Sequence, residues 1–280
     1  MNNLVLRATS GAVYVGLIVL SILFGGNWGF AALCMLFGAL ATIELNTLCA
    51  GGKQSAATLL TDVAGSLIII SAPALLLFYG TSQPVLSTAA FLCALVAYLL
   101  VRLTMQLYIT GTNALQSMQA SLAGQLYISL PLALASLTYL ISGHAIIMLM
   151  FIMIWLNDTG AYLVGSRIGK RRLFERISPK KSWEGFFGGI AFCIAAAVVA
   201  KLCFANQAPG MSIGAMCIYG VLVSIFATWG DLVESLIKRT LGVKDSGRMM
   251  PGHGGLLDRI DSLLFVAPMT FLYIALHFIL

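Results

Sequence analysis

The chain has 280 residues, of which 60% are hydrophobic and only 9% are charged, with a formal net charge of +6 and a mean hydropathy of +0.96. A water-soluble domain carries about 25% charged residues, and no long polar segment of this chain would form one. These values exclude a soluble enzyme and indicate a polytopic membrane protein whose chemistry lies in or at the bilayer.

Apolar runs of the length that crosses a bilayer as a helix, about 20 residues, follow one another along the chain. We expect spans near 9–25, 28–45, 58–80, 85–103, 122–141, 144–165, 185–206, 211–236 and 257–280. The first run carries one basic residue, Arg7, and no clear small-residue cleavage site, so we expect a first span rather than a removable signal peptide. The predicted fold class is all-α, with roughly nine transmembrane helices.

The basic residues predict the orientation of these spans. Two longer links, 166–184 and 237–256, hold most of the lysines and arginines. Because basic loops face the cytoplasm, we place both links there, which leaves only Lys201 of the 16 basic residues on the other side. We therefore expect a multi-pass protein of the inner (cytoplasmic) membrane, with its active site facing the cytoplasm.

The first half of the chain carries little chemistry. We expect residues 1–143 to form a transmembrane scaffold and residues 144–280 to form the catalytic region with its cytoplasmic loops. Glu44 and Arg102 fall at the cytoplasmic ends of their spans. Charged side chains at such ends reach toward the headgroups, so both are expected to be interfacial anchors with solvated head groups.

Charged residues concentrate between positions 230 and 261, which read GDLVESLIKRTLGVKDSGRMMPGHGGLLDRID. A helix through this region would place on one face the residues at i, i+3, i+4 and i+7, namely Asp231, Glu234, Ser235 and Lys238. After a glycine-rich break, Asp258 and Asp261 again lie three residues apart. Carboxylates from two helix ends, with basic residues between them, suit a divalent cation bound together with a polyphosphate.

Two upstream features add to this pattern. Asp158 lies inside an otherwise apolar span, where an ionisable residue is by default functional; a structural hydrogen-bonding role is the alternative. In the segment SPKKSWEG, Ser178 begins a turn, and Lys180 and Lys181 are able to bind phosphates. The alternative for these lysines is simple anchoring at the lipid headgroups.

From Ser235 to Asp261 the sequence resembles the signature of the phosphatidate cytidylyltransferases, also called CDP-diacylglycerol synthases. The matching elements are Ser235, Lys238, Arg239, Lys244, Asp245, Gly247, Pro251 to Gly255, Asp258, Arg259 and Asp261. Further matches are Asp158 to Tyr162, Gly169-Lys170, Ser178 to Ser182, Glu184-Gly185 and Gly230-Asp231. Met250 stands where the family usually has Leu, Ile or Phe. The resemblance covers most of residues 155–262.

The resemblance implies an enzyme of phospholipid biosynthesis that joins CTP to phosphatidic acid, forms CDP-diacylglycerol, releases pyrophosphate and requires Mg²⁺. The lipid phosphate would attack the α-phosphorus of CTP in line. This chemistry needs mainly positioning and charge neutralisation from the protein. The expected partners are CTP, phosphatidic acid and membrane lipids, without nucleic acid, and the family suggests a homodimer.

The resemblance also suggests a role for each site residue. The expected metal ligands are Asp231 and Asp258, then Asp261, with Asp158 and Glu234 completing or orienting the set. The basic residues expected to bind phosphates are Lys238, Arg239, Lys244 and Arg259. The residues expected to bind the nucleotide are Ser178, Lys180, Lys181, Gly254 and Gly255, since backbone amides at glycines approach anions closely. His253, the only titratable base of the signature, is expected either to contact phosphate or to cap its turn.

Other classes of protein remain open at this point. A membrane transporter also has many spans with buried acidic residues, but here the charges cluster at one face and mix carboxylates with basic residues. A structural or assembly factor would not need such a concentration of acids and bases. Among enzymes, the alternative is a CTP-dependent enzyme that acts on another lipid.

Overall fold

The computed structural model describes residues 3–50, 55–80, 84–110, 113–203, 211–247, 249–250, 252 and 254–279. The helices are α1 (Asn3–Leu23), α2 (Gly26–Cys49), α3 (Ala56–Gly80), α4 (Pro84–Met105), α5 (Ala114–Gly124), α6 (Leu130–Ser142), α7 (His144–Ile168), α8 (Trp183–Cys203), α9 (Ile213–Thr240) and α10 (Leu257–Ile279). Two strands, β1 (Arg172–Phe174) and β2 (Ser178–Ser182), pair antiparallel between α7 and α8.

In the part of the chain that is described, 9 helical segments are long and apolar enough to cross a membrane, with α5 and α6 counted as one. A π-helical turn, Gln125–Ser129, joins these two helices. The prediction of an all-α polytopic membrane protein is confirmed. The fifth span differs most from its predicted bounds, because the side chain of Asn113 caps the helix by accepting from the Gln116 amide and so starts it earlier.

The chain divides into two compact units. The first unit comprises Met1–Leu140 and Asp245–Asp258, and the second comprises Ile141–Lys244 and Arg259–Leu280. The signature is thus shared between the units, since residues 245–258 pack with the N-terminal helices. The role of residues 1–143 as a transmembrane scaffold stays a prediction.

A polar network lies in the core of the first unit, centred on Asp62 of α3. This carboxylate is 0% exposed. It accepts from Arg102 Nε at 3.1 Å, from Asn46 Nδ2 at 2.9 Å and from Ser121 Oγ at 2.6 Å. The network joins α2, α3, α4 and α5, so buried charge rather than apolar packing alone ties these helices together.

The expectation of solvated head groups on Glu44 and Arg102 is wrong. Their exposed fractions are only 4% and 3%. Arg102 donates within its own unit to Asp62, to Gln106 Oε1 at 3.1 Å and to Ser117 Oγ at 2.8 Å. Both side chains are buried because other helices supply the partners that water would otherwise supply.

Small residues bring the helices of the second unit close together. A Cβ added to Gly160 of α7 would lie 2.9 Å from the backbone oxygen of Gly188 in α8. A Cβ added to Gly220 of α9 would lie 2.8 Å from the backbone oxygen of Cys193 in α8. Such close backbone approach is typical of helix packing inside membranes.

Candidate active site

Helix α9 carries the polar face that the sequence predicts. Ser235 Oγ donates to Asp231 Oδ1 at 3.3 Å, and Lys238 Nζ pairs with Glu234 Oε2 at 2.5 Å. The helix ends soon afterwards, because Gly242 adopts φ +71°. The Gly242 amide donates to the Arg239 carbonyl, and the Val243 amide donates to the Lys238 carbonyl. The last turn of α9 therefore carries both Lys238 and Arg239.

Gly230 allows α9 and α10 to pack closely beside two predicted metal ligands, Asp231 and Asp261. A Cβ added to Gly230 would lie 2.6 Å from the backbone oxygen of Asp261 and 3.0 Å from Cα of Ser262. Ser262 Oγ donates back to the carbonyl of Ala227 at 3.1 Å. Because the two backbones touch at Gly230, the neighbouring residue Asp231 is brought close to Asp261.

Three carboxylates of the second unit influence one another electrostatically. Asp231 and Asp158 both repel negative charge on Asp261, and Asp231 also repels charge on Asp158. We call Asp158, Asp231 and Asp261 the acidic cluster. Asp158 is exposed and the other two are half-buried, so a ligand has access to the carboxylates.

Lys181 supplies a positive charge in contact with the acidic cluster. Its Nζ lies 2.6 Å from Asp231 Oδ2. Its charge also attracts Asp158 and Asp261, and Arg259 attracts Asp158. The arrangement places a cation and several anions within reach of one another, as the binding of a metal and a phosphate together requires.

Lys181 is held by a hairpin that the sequence does not predict. Strand β2 contains Ser178, Lys180 and Lys181, and it pairs with β1 through an irregular register. The Glu184 carboxylate accepts from the Lys170 amide at 3.1 Å and the Arg171 amide at 3.3 Å, which fixes the start of the link after α7. Lys180 is exposed, whereas Lys181 is half-buried against Asp231.

An apolar cavity adjoins this hairpin. Its volume is about 170 Å³, and its lining residues are Phe174, Ile177, Trp229, Leu232, Val233 and Leu236. The cavity thus lies between the hairpin turn and the segment of α9 that contains Asp231. The lining residues of α9, at positions 229, 232, 233 and 236, share one helical face that does not include Asp231, and this apolar face suits the hydrocarbon part of a ligand.

In the first unit, the loop before α10 holds Asp258. Asp258 Oδ2 accepts from the Ser246 amide at 3.0 Å and from the Gly255 amide at 3.2 Å. Gly254 adopts φ +88°, a conformation that glycine tolerates best, and its carbonyl accepts from the Met250 amide at 2.9 Å. The loop is thus a folded turn that fixes one carboxylate.

A model of the cytidylyltransferase family matches residues 6–277. The chain belongs to the cytidylyltransferase family. Phosphatidate cytidylyltransferases of Staphylococcus epidermidis and Staphylococcus aureus are each 47% identical to it over 127 residues, and that of Staphylococcus haemolyticus is 46% identical. Each alignment covers 45% of this chain and 48% of the relative, so the match spans about half the length of these relatives. The resemblance given by the signature is confirmed.

The structure brings together only part of the site predicted for this cytidylyltransferase family member. Asp158, Lys181, Asp231 and Asp261 influence one another within the second unit. Other expected residues of that unit are exposed or half-buried, namely Ser178, Lys180, Lys238, Arg239, Lys244 and Arg259. Asp258, Gly254 and Gly255 belong to the first unit. His253 lies outside the described residues, so its role stays a prediction.

One residue of the first unit that sequence reasoning missed is Glu44. Its carboxylate accepts from the amides of Leu256 and Leu257, at 2.9 and 2.8 Å, at the start of α10. The signal in the sequence was a charged residue at the end of an apolar span, which is costly to bury unless it has partners. Nothing in the sequence gave the identity of those partners, because they lie more than 200 positions away.

Proposed function

We propose that this protein transfers CMP from CTP to phosphatidic acid, which forms CDP-diacylglycerol and pyrophosphate. The observation that carries the proposal is the acidic cluster with Lys181 Nζ 2.6 Å from Asp231. Membership of the cytidylyltransferase family and the names of the relatives support the same reaction.

The reaction needs little covalent participation from the protein. An oxygen of the lipid phosphate forms a bond to the α-phosphorus of CTP, and the bond from that phosphorus to the oxygen bridging the β-phosphate breaks. Pyrophosphate takes the electron pair and leaves. Catalysis of such a step consists mainly of holding the two phosphates in line and offsetting their charge.

Basic side chains supply this neutralisation in the proposed mechanism. Lys181 exchanges its contact with Asp231 for a phosphate oxygen of CTP when the nucleotide binds. Lys238 and Arg239, in the last turn of α9, contact the phosphates of the nucleotide or the lipid, since cationic donors bind phosphate oxygens strongly.

We also propose that Mg²⁺ is bound by Asp231 and Asp261, with Asp158 close by and Asp258 contributing as the signature suggests. The described residues contain no group of three or more His, Cys, Asp or Glu side chains arranged to hold a metal. In the proposal, one or two of these carboxylates bind the ion, and water and substrate phosphates would complete its shell, as is usual for Mg²⁺. Bound there, the ion would neutralise charge on the reacting phosphates.

The location of the protein is part of the proposal. We propose the inner membrane, with the acidic cluster open to the cytoplasm, where CTP is present. The lysines and arginines of links 166–184 and 237–256 support this orientation. A homodimer, suggested by the family resemblance, stays a prediction.

The proposal is tested by assaying purified protein in detergent micelles with radiolabelled CTP, Mg²⁺ and a panel of lipids. We expect a CDP-lipid with phosphatidic acid and none after chelation of Mg²⁺. Product with a different lipid phosphate or alcohol, and none with phosphatidic acid, would assign the chemistry to another lipid. No product with any lipid, from protein that shows a cooperative unfolding transition, would favour a transporter.

A further inference from the structure

Glu44 of α2 is a buried carboxylate with a complete set of partners in the first unit. It is 4% exposed. Oε1 accepts from the Leu256 amide at 2.9 Å, and Oε2 accepts from the Leu257 amide at 2.8 Å and from Ser246 Oγ at 3.3 Å. A charge at this depth is stable only because of these hydrogen bonds.

The contacts of Glu44 lie at the beginning of α10. The first amides of a helix have no partner within the helix, and that end carries partial positive charge. Glu44 satisfies two of these amides and supplies the opposite charge. A side chain from α2 therefore performs the capping that a residue just before the helix usually performs.

Two glycines of the signature leave room for this carboxylate. A Cβ added to Gly247 would lie 2.5 Å from Glu44 Oε1, and one added to Gly255 would lie 2.8 Å from Glu44 Oε2. A larger residue at Gly247 would meet Glu44 first, whereas one at Gly255 would also clash with Ser246 Oγ and lie 2.8 Å from the Gly247 amide nitrogen. The packing around Glu44 thus gives a physical reason for these two glycines.

The same loop residues hold Asp258. The Ser246 and Gly255 amides donate to Asp258 Oδ2. Ser246 Oγ donates to Glu44, and the Glu44 carboxylate lies beside Gly255. A second tether from the N-terminal helices supports the loop, because Arg7 Nε donates to the Gly252 carbonyl at 2.9 Å. The position of the Asp258 carboxylate therefore depends on the position of Glu44.

We propose that Glu44 is a positioning residue: its carboxylate holds residues 245–247 and 254–257 in the conformation that fixes Asp258. The consequence for catalysis rests on the proposed function, in which Asp258 contributes to Mg²⁺ binding. The N-terminal half of the chain then takes part in fixing Asp258, in addition to any role as a membrane scaffold.

The test uses Glu44→Gln in the full-length protein. The amide keeps the size of the side chain, but it removes the charge and turns one acceptor into a donor that faces a backbone amide. We expect hydrogen exchange in residues 245–257 to accelerate at least ten-fold, with exchange in α6 unchanged. We also expect the Mg²⁺ concentration for half-maximal activity to rise at least ten-fold, while the KM for phosphatidic acid changes less than two-fold.

Thr42→Val is the matched control on the same helix. Thr42 is 1% exposed, and its Oγ1 makes no hydrogen bond to the described residues. We expect wild-type exchange and wild-type Mg²⁺ dependence.

If Glu44→Gln fails to fold, Ser246→Ala is the second variant. It removes only the 3.3 Å hydrogen bond from Ser246 Oγ to Glu44 and keeps the Ser246 amide for Asp258. The exchange rate in residues 245–257 and the Mg²⁺ concentration for half-maximal activity should then each rise about three-fold.

Wild-type exchange in residues 245–257 of Glu44→Gln would overturn the proposal. Faster exchange with an unchanged Mg²⁺ dependence would also overturn it, because the loop would then move without affecting Asp258. If the wild-type protein makes no CDP-lipid at all, the proposed function fails, and the exchange measurement alone decides whether Glu44 holds the loop.

Discussion

The ion pair of Lys181 and Asp231 contributes little to the stability of the fold. The two side chains are 25% and 35% exposed, and pairs open to water contribute about 0–1 kcal/mol. In the proposed mechanism, Lys181 offsets charge on the acidic cluster until substrate and metal bind. Removing the charge of Asp231 should therefore affect activity far more than folding.

We predict that Asp231→Asn lowers kcat/KM at least 100-fold, about the effect of removing one group that stabilises transition-state charge. The free energy of unfolding should change by less than about 1 kcal/mol, because the ion pair is partly open to water. Activity is measured as CDP-lipid formation and stability by unfolding in detergent. Glu175→Gln, an equivalent change at an exposed position of the hairpin, is the control and should leave both unchanged. Wild-type turnover by Asp231→Asn would remove Asp231 from the site.

Individual residues were predictable from the sequence where the motif is dense. Asp231, Glu234, Ser235 and Lys238 lie on one face of α9, as their spacing indicates. Glu44 and Arg102 were not predictable, because a charge near a span end has the same sequence pattern whether it meets headgroups or another helix. The burial of both depends on long-range packing.

At the scale of elements, the contact between α9 and α10 determines the geometry of the acidic cluster. Gly230 allows the two backbones to touch, and the contact includes the backbone oxygen of Asp261. A backbone atom is unable to move aside as a flexible side chain does. Any side chain at position 230 should separate the helices and move Asp231 away from Asp261.

We predict that Gly230→Ala is destabilising by about 1–3 kcal/mol, the usual cost of overpacking, and lowers activity at least ten-fold. Gly214→Ala, on the same helix, is the control. A Cβ there meets only Ser212 Oγ at 3.8 Å, so it should be neutral or stabilising by up to about 1 kcal/mol. Both are measured by unfolding in detergent and by CDP-lipid formation. Equal behaviour of the two variants would contradict the role of Gly230.

The polar network around Asp62 leads to a prediction about the stability of the fold. Asp62→Ala leaves the Arg102 guanidinium buried without its carboxylate, and breaking a buried pair costs about 3–5 kcal/mol. Thr104→Ala, an exposed position on α4 whose Oγ1 bonds to the Leu100 carbonyl, should cost less than about 1 kcal/mol. Unfolding with SDS measures both. A loss below about 1 kcal/mol for Asp62→Ala would show that the network is not a main source of stability.

The helices were readable from the sequence, whereas the hairpin was not. Apolar runs of the required length identify each span. Strands β1 and β2 have only 3 and 5 residues, and their register is irregular. An alternating pattern is difficult to recognise over so few residues, and the basic residues of this segment suggested a loop at the membrane surface.

For the whole molecule, the arrangement of charge predicts the side of the membrane on which the chemistry occurs. Helix α7 has 25 residues, and at about 1.5 Å per residue it exceeds the hydrocarbon core of about 30 Å. The hairpin follows its C-terminal end, and His144 lies at its N-terminal end. These two ends should therefore lie on opposite sides of the bilayer.

We predict that Glu175→Cys is cytoplasmic and that His144→Cys faces the other side, because the basic link 166–184 stays in the cytoplasm. Each variant is made in a protein without the native cysteines and labelled in sealed vesicles with a membrane-impermeant maleimide. Glu175→Cys should react only in inside-out vesicles, and His144→Cys only in right-side-out vesicles. The reverse pattern would place the hairpin away from cytoplasmic CTP.

The division of the signature between two units was not predictable from the sequence. The segment 245–258 follows α9 directly in the chain, yet it packs with the N-terminal helices because Glu44 and Arg7 bind its backbone. A linear pattern shows which residues carry chemistry. It does not show which helices hold those residues in place.

The central claim is that the site moves CMP, with the α-phosphorus, from CTP to a lipid phosphate. The most direct measurement compares CTP labelled with ³²P at the α-phosphorus and at the γ-phosphorus, each incubated with phosphatidic acid and Mg²⁺. The α-label should enter the organic phase as CDP-lipid, and the γ-label should remain in water as pyrophosphate in equal amount. Appearance of the γ-label in the lipid would indicate a kinase, and no lipid labelling from either nucleotide would contradict the account.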